Sequence, residues 1–399
     1  MELSFCHGNS ISTTSSTEQL EFYLFEVLRV EMSPRLLLFF LIPLTVSKII
    51  QVNVEKRTQK NRPDNTPSTG PFFSRINQSL ENHEFLYYTG TVFVGTPPKP
   101  FTVNFDTGSH LFWITTPNCR DYDGKDCVAQ KRKYSIEQST TGRNLSEVFV
   151  TGYADGSTAR GFYVSDVLRL SPNDQSIVVP NLVFGAVDLQ SGMSDDDADG
   201  LFGLSFPVDV RHESLITWLK KNEVLDAPVI TIHMPKNGTS AGELVFGGQL
   251  GPNKCGPLIT TVPANAMHPF WAFRIPTVKL DGMEIDSNAL AVSDSGTTLI
   301  TVESKQFDII EKKYPLYPKR TNCDGSQVVD LKLDFVIGDK TLTLRGPELL
   351  YREDDECSVG ITSNSDGSPI SWLLGDLFIR NFCTFLNYKE ETIGFAASK

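Results

Sequence analysis

Two stretches of the chain resemble each other: Phe105-Asp106-Thr107-Gly108-Ser109 and Ser293-Asp294-Ser295-Gly296-Thr297-Thr298. Each sets an acidic residue, a small hydroxyl residue and a glycine in a row behind apolar or β-branched residues. The first follows Phe101-Thr102-Val103-Asn104-Phe105, which alternates like a strand; Ala291 and Val292 take that place before the second. Glycine after the acid permits a tight loop and close backbone approach, and the hydroxyls can bond a neighbouring loop or the carboxylate itself. Alone, each triplet reads as a turn, because Asp, Ser, Thr and Gly are turn residues. A second signal follows each copy: Asp199-Gly200-Leu201-Phe202-Gly203-Leu204 after the first, Trp372-Leu373-Leu374-Gly375-Asp376 after the second. The same pair of signals in the same order predicts two homologous lobes.

With these motifs the sequence resembles the pepsin-type aspartic endopeptidases, the two-lobed family that includes pepsin, cathepsin D and renin. The resemblance runs from about Glu84 to the C-terminus. It takes in Trp113, the flap-like Gly152-Tyr153-Ala154-Asp155-Gly156-Ser157 and Gly375-Asp376-Leu377-Phe378-Ile379-Arg380. It implies a mostly β, bilobal acid-protease fold with the active-site cleft between two homologous β-lobes.

The implied chemistry needs neither metal nor cofactor. Two carboxylates held in contact cannot both ionise, so the pair shares a proton near acid pH and titrates as a unit. By resemblance Asp106 and Asp294 form that dyad, one member taking a proton from water while the other polarises the scissile carbonyl. Thr107 and Ser295 match the hydroxyls that cross-brace the two loops, with Gly108 and Gly296 beside them. Ser109 and Thr297 match those that hold the outer carboxylate oxygens. Tyr153 matches the flap tyrosine and Trp113 its indole partner; Ala154, Asp155, Gly156, Leu201 and Thr298 complete the expected substrate-binding set. Ala154 stands where the flap usually has Gly and Asp155 where Thr or Ser is usual. The expectation is a restricted flap with an added acid. His110 and Leu111 replace small polar residues. The acidic Asp195–Asp197 lies near a side-chain pocket without its usual aromatic, which suggests tolerance of basic residues beside the cleavage site.

The chain has 399 residues and a formal charge of −12. Surplus acid without a basic run argues against nucleic acid as a partner. Met32-Ser33-Pro34-Arg35 precedes an apolar run from Leu36 to Val46 and then Ser47-Lys48, which reads as a signal peptide and is short for a membrane span. A buried strand or a signal anchor is the other reading. Translation is expected to start at Met32, residues 1–31 being a non-native extension that carries Cys6. Six further cysteines, an even number, suggest disulfides in a secreted chain, with connectivity open from sequence alone. The resemblance implies Cys119–Cys127 and Cys323–Cys357. The remaining pair, Cys255–Cys383, resembles the pattern of secreted nematode members. Asn77, Asn144 and Asn237 are sequons for glycosylation.

Residues 48–82 read as a pro-segment, opening with the alternating Ile50-Gln51-Val52-Asn53-Val54 and turning basic at Lys56, Arg57, Lys60 and Arg62; a linker is the alternative. Residues 83–248 form the first lobe with its flap hairpin, and 249–399 the second. Helices are expected over Glu213–Val224 and Ser304–Tyr314. Asp195-x-Asp197-x-Asp199-Gly200 copies the start of a calcium loop, but Phe206 stands where the bidentate Glu belongs, so an acidic surface loop is the reading preferred. The expected protein is a monomeric endopeptidase made as a zymogen, secreted or lysosomal, and blocked by pepstatin-type inhibitors. It should cleave proteins at acidic pH beside large hydrophobic residues. The competing class is a catalytically silent peptide-binding protein on the same fold.

Overall fold

A computed structural model describes residues 50–58, 86–127, 132–171, 177–193, 198–208, 212–225, 227–236, 242–248, 250–353, 356–364 and 367–399. The expected extension, the signal peptide, Asn77, Asn237 and the Asp195–Asp197 stretch lie outside these residues. The described part belongs to one compact unit, Val46–Lys399.

Strands dominate, as the alternating patterns predict. Among the described residues there are a 13-stranded sheet, a 7-stranded sheet and a two-stranded pair. One end of the large sheet is built from both halves of the chain. There Cys255–Pro263, Thr392–Ser398 and Phe382–Asn387 lie beside Val229–His233 and Gly242–Phe246. Ile50–Thr58 then bridges onward. Its first five residues pair antiparallel with Gly242–Phe246, and Glu55 to Thr58 pair with Thr89 to Leu86. The strands of the first lobe follow, ending in the hairpin strands Thr158–Arg169 and Arg143–Gly152.

Each lobe repeats one local arrangement around its Asp motif. In the first, Lys99–Asp106 runs parallel to the short strand Gly200–Gly203, which pairs antiparallel with Phe112–Asp121. In the second, Met283–Ser293 runs parallel to Trp372–Leu374, which pairs antiparallel with Ile300–Val302. The two short strands are the second sequence signals, so the doubled motif reflects a doubled topology. Each Asp loop is therefore clamped on both sides by one strand.

Apolar side chains from both lobes merge into one core cluster that runs from Tyr88 to Phe395. Phe202 packs its ring 4.4 Å from Phe112 and 5.6 Å from Phe105, fixing the strands beneath Asp106. Trp271 is buried and its indole N–H donates to the Leu204 carbonyl at 3.0 Å, tying the second lobe to the first. Disulfides join Cys119 to Cys127, Cys255 to Cys383 and Cys323 to Cys357.

Both expected helices form, shorter than their apolar patterns. The first spans Leu215–Asn222: Ser214 caps it by accepting from the Thr217 N–H, and Glu223 ends it in a left-handed conformation at φ 47°. The second spans Ser304–Glu311. It stops short of Tyr314 because Pro315 disfavours helical geometry in the residue before it.

Candidate active site

The two Asp loops meet at the junction of the lobes. Thr107 and Ser295, both buried, make four hydrogen bonds across it, two of them to each other. The Thr107 N–H donates to Ser295 Oγ at 3.1 Å, and the Ser295 N–H donates to Thr107 Oγ1 at 2.9 Å. Their hydroxyls donate in turn to the carbonyls of the opposite strands, Thr107 to Ser293 at 2.9 Å and Ser295 to Phe105 at 2.8 Å. Every donor and acceptor in this brace has a partner, as a buried polar cluster requires.

The brace brings the carboxylates together. Asp106 and Asp294 are 5% and 8% exposed, and their carboxylates lie against each other across the junction. Asp106 accepts from the Gly108 N–H at 2.7 Å and from the Ser109 hydroxyl at 2.5 Å. Asp294 accepts from the Gly296 N–H at 2.8 Å and from the Thr297 hydroxyl at 2.7 Å. The two sets of contacts match residue for residue, so the inner oxygens face the partner and the outer ones are held by hydroxyls. A Cβ on Gly296 would lie 2.5 Å from Asp106 Oδ1 and 3.2 Å from Asp294 Oδ1, which places both oxygens around one point.

Burial pushes the Asp106 carboxyl well above the usual carboxylate range, and the Asp294 charge pushes the same way. The bonds from Ser109 and Gly108 oppose that rise without cancelling it. Two acids in contact thus hold a proton that isolated acids would lose.

Tyr153 sits at the end of the hairpin strand Arg143–Gly152, half-buried. Its hydroxyl accepts from the Trp113 indole N–H at 2.7 Å. Burial raises its pKa, so the hydroxyl stays protonated at any working pH. Trp113 belongs to an apolar cluster with Phe149, Val187 and the Cys119–Cys127 disulfide, against which Leu111, Met193 and Leu201 pack. Thr298 contributes its carbonyl, which accepts from the Leu377 N–H at 3.2 Å.

The unusual hairpin tip closes as a tight turn. The Gly156 N–H donates to the Tyr153 carbonyl at 3.0 Å, and the left-handed position falls to Gly156, at φ 84°. Ala154 has no positive φ, so its Cβ brings no backbone strain. Asp155 is exposed and its carboxylate accepts from the Ser157 N–H at 2.8 Å and the Ser157 hydroxyl at 2.6 Å. The added acid closes its own turn.

The partners that Asp199 braces carry no local sequence signal. Asp199 accepts from the Thr102 N–H at 2.7 Å and the Arg132 N–H at 2.6 Å, locking the short strand to the one that ends in Asp106. Phe206, at the calcium-loop position, is buried with its ring 4.3 Å from Trp271 and has no ligand atom to offer a metal. His110 is half-buried, and burial lowers its pKa.

The family model described as eukaryotic aspartyl protease matches residues 87–398. Gastricsin from Homo sapiens is 27% identical over 330 residues, covering 78% of this chain and 81% of that protein. Rhizopuspepsin-1 from Rhizopus niveus is 26% identical over 320 residues, 77% of this chain and 78% of that one. Pepsin II-1 from Oryctolagus cuniculus is 27% identical over 342 residues, 82% and 85% of the two chains.

Proposed function

The chain belongs to the eukaryotic aspartyl protease family, and from that premise we propose that it is an aspartic endopeptidase, hydrolysing peptide bonds in proteins at acidic pH through Asp106 and Asp294. One observation carries the reading: two buried carboxylates brought against each other, each held by its own glycine N–H and hydroxyl.

In this reading the pair binds one proton. The ionised carboxylate takes a proton from the attacking water, and the protonated one donates to the scissile carbonyl oxygen as its charge develops. The proton then passes to the leaving nitrogen, so no covalent enzyme intermediate forms. Ser109 and Thr297 orient the carboxylates, and the Thr107–Ser295 brace fixes their separation. The Tyr153 hairpin closes over the substrate and excludes water. Leu111, Leu201 and Trp113 supply an apolar wall suited to large hydrophobic residues beside the cleaved bond.

The same reading makes 32–47 a signal, 48–82 a pro-segment, 83–248 and 249–399 the lobes, and the product a secreted or lysosomal monomer. The pairing of Ile50–Thr58 within the large sheet supports a zymogen whose leading strand is built into the fold. The silent-binder alternative is not favoured, since both acids keep their hydroxyl and glycine partners.

The test is cleavage of denatured haemoglobin after acid activation, with and without pepstatin. Acid-dependent cleavage abolished by pepstatin is expected; a folded, activated protein inert at every pH would overturn the reading.

A further inference from the structure

The hairpin that carries Tyr153 bears an apolar strip on its outer face. In Glu147-Val148-Phe149-Val150-Thr151 the ring turns inward: Phe149 is buried, edge-on to Tyr163, while Val148 and Val150 are 57% and 61% exposed. Phe162, directly opposite Val148, is 46% exposed. Val148, Phe162 and Leu189 line a groove of ≈ 210 Å³ with Arg160, Gly161 and Asp188. An aromatic ring sharing a groove with a guanidinium and a carboxylate suits a sugar, whose C–H face packs on the ring and whose hydroxyls take charged hydrogen bonds.

An acceptor for a sugar lies beside it. Asn144-Leu145-Ser146 is a sequon, and Asn144 is exposed on the strand that ends the large sheet. Asn144 Oδ1 accepts from the Ser146 N–H at 2.8 Å while Ser146 holds φ 58°, a local turn in which the side-chain oxygen is engaged. Nδ2, the atom that would carry the sugar, is not part of that bond. Asn144 pairs with Val164, two residues from Phe162 on the same strand. Paired residues share a face, and a residue's diagonal neighbours sit about 7–8 Å away. Phe162 is therefore the diagonal neighbour of Asn144, within reach of a first sugar. The register shift that follows Asn144 lies between it and Val148 and leaves the Asn144–Val164 pair intact.

We propose that an N-linked glycan on Asn144 lies in this groove, its first sugars stacked on Phe162 and bonded to Arg160 and Asp188. The glycan covers both the apolar strip and the outer edge of the hairpin strand, unpaired among the described residues, which would otherwise offer a template for pairing with another chain. The linkage forms as Asn144 Nδ2 attacks C1 of an oligosaccharide carried on a lipid diphosphate. The N–C1 bond forms, the C1–O bond breaks with its electron pair leaving on the diphosphate, and the amide proton passes to a base. This inference depends on passage through the secretory pathway and not on the hydrolytic chemistry.

The test uses the full chain secreted from a eukaryotic host. Intact mass before and after peptide N-glycosidase is compared for wild type, Asn144→Gln and Ser146→Ala, and both variants are expected to lack one glycan. The folded wild type is then trimmed enzymatically and melted beside its untrimmed form. Trimming should lower Tm by about 1–3 °C and raise binding of an apolar dye, with both effects absent in Phe162→Ser and reduced in Arg160→Ala. No carbohydrate on Asn144, or an equal Tm loss in wild type and both groove variants, would overturn the proposal.

Discussion

Gly108 and Asp294, on opposite lobes, approach so closely that a Cβ on the glycine would stand 2.4 Å from the Asp294 carboxylate. Gly296 stands in the same relation to Asp106. Each glycine thus makes room for the other lobe's acid while its own N–H holds its own acid. Neither contact is visible within one motif, because each joins residues more than 180 positions apart, as the cross-brace does.

Gly108→Ala should therefore push Asp294 off its position without removing any catalytic group. A displacement near 1 Å lowers turnover on the order of a hundredfold. Steady-state kinetics on a peptide substrate, beside circular dichroism to verify the fold, checks this. Unchanged kcat would mean that the carboxylate spacing is not critical.

The Trp113–Tyr153 bond ties the tip of the hairpin to the strand that follows the first Asp loop. Trp113→Phe keeps the apolar packing and removes the donor, a loss of about 1 kcal/mol. In the proposed mechanism kcat/KM falls roughly five- to tenfold, with little change in Tm. Tyr153→Phe should behave similarly, and combining the two should add little, because both remove the same bond.

The raised Asp106 carboxyl has a consequence for stability. A carboxyl whose folded pKa exceeds its unfolded value, about 3.9, binds its proton more tightly in the folded state. Its contribution is full below the unfolded pKa and is lost as pH rises through the folded one. Wild type should lose Tm relative to Asp106→Asn as pH climbs from about 4 toward neutrality. Scanning calorimetry of both proteins across that range measures the difference; a gap that is constant with pH would contradict the shared-proton geometry.

Much of this site was legible in the sequence because its signals are local and doubled. Strand alternation before Asp106, a hydroxyl and a glycine after each acid, and a second motif in each half suffice to expect two lobes, and the family resemblance implies a dyad where they meet. The shared sheet was not legible. Val229–His233 pairs with Phe382–Asn387 across more than 150 positions, and nothing in either segment names its partner. The outward valines beside Phe149 were equally hidden, since alternation tells which residues share a face but not which face meets the core. Asp199 read as part of a motif, while its work as a backbone brace depends on Thr102 and Arg132, far away in sequence.

The most direct test of the central claim is the pH profile of kcat/KM for wild type, Asp106→Asn and Asp294→Asn after activation. A bell-shaped acid profile for wild type is expected, with both variants at least about a thousandfold slower yet folded. Activity retained by either variant, or a wild-type profile rising toward neutral pH, would contradict a dyad that works by sharing one proton.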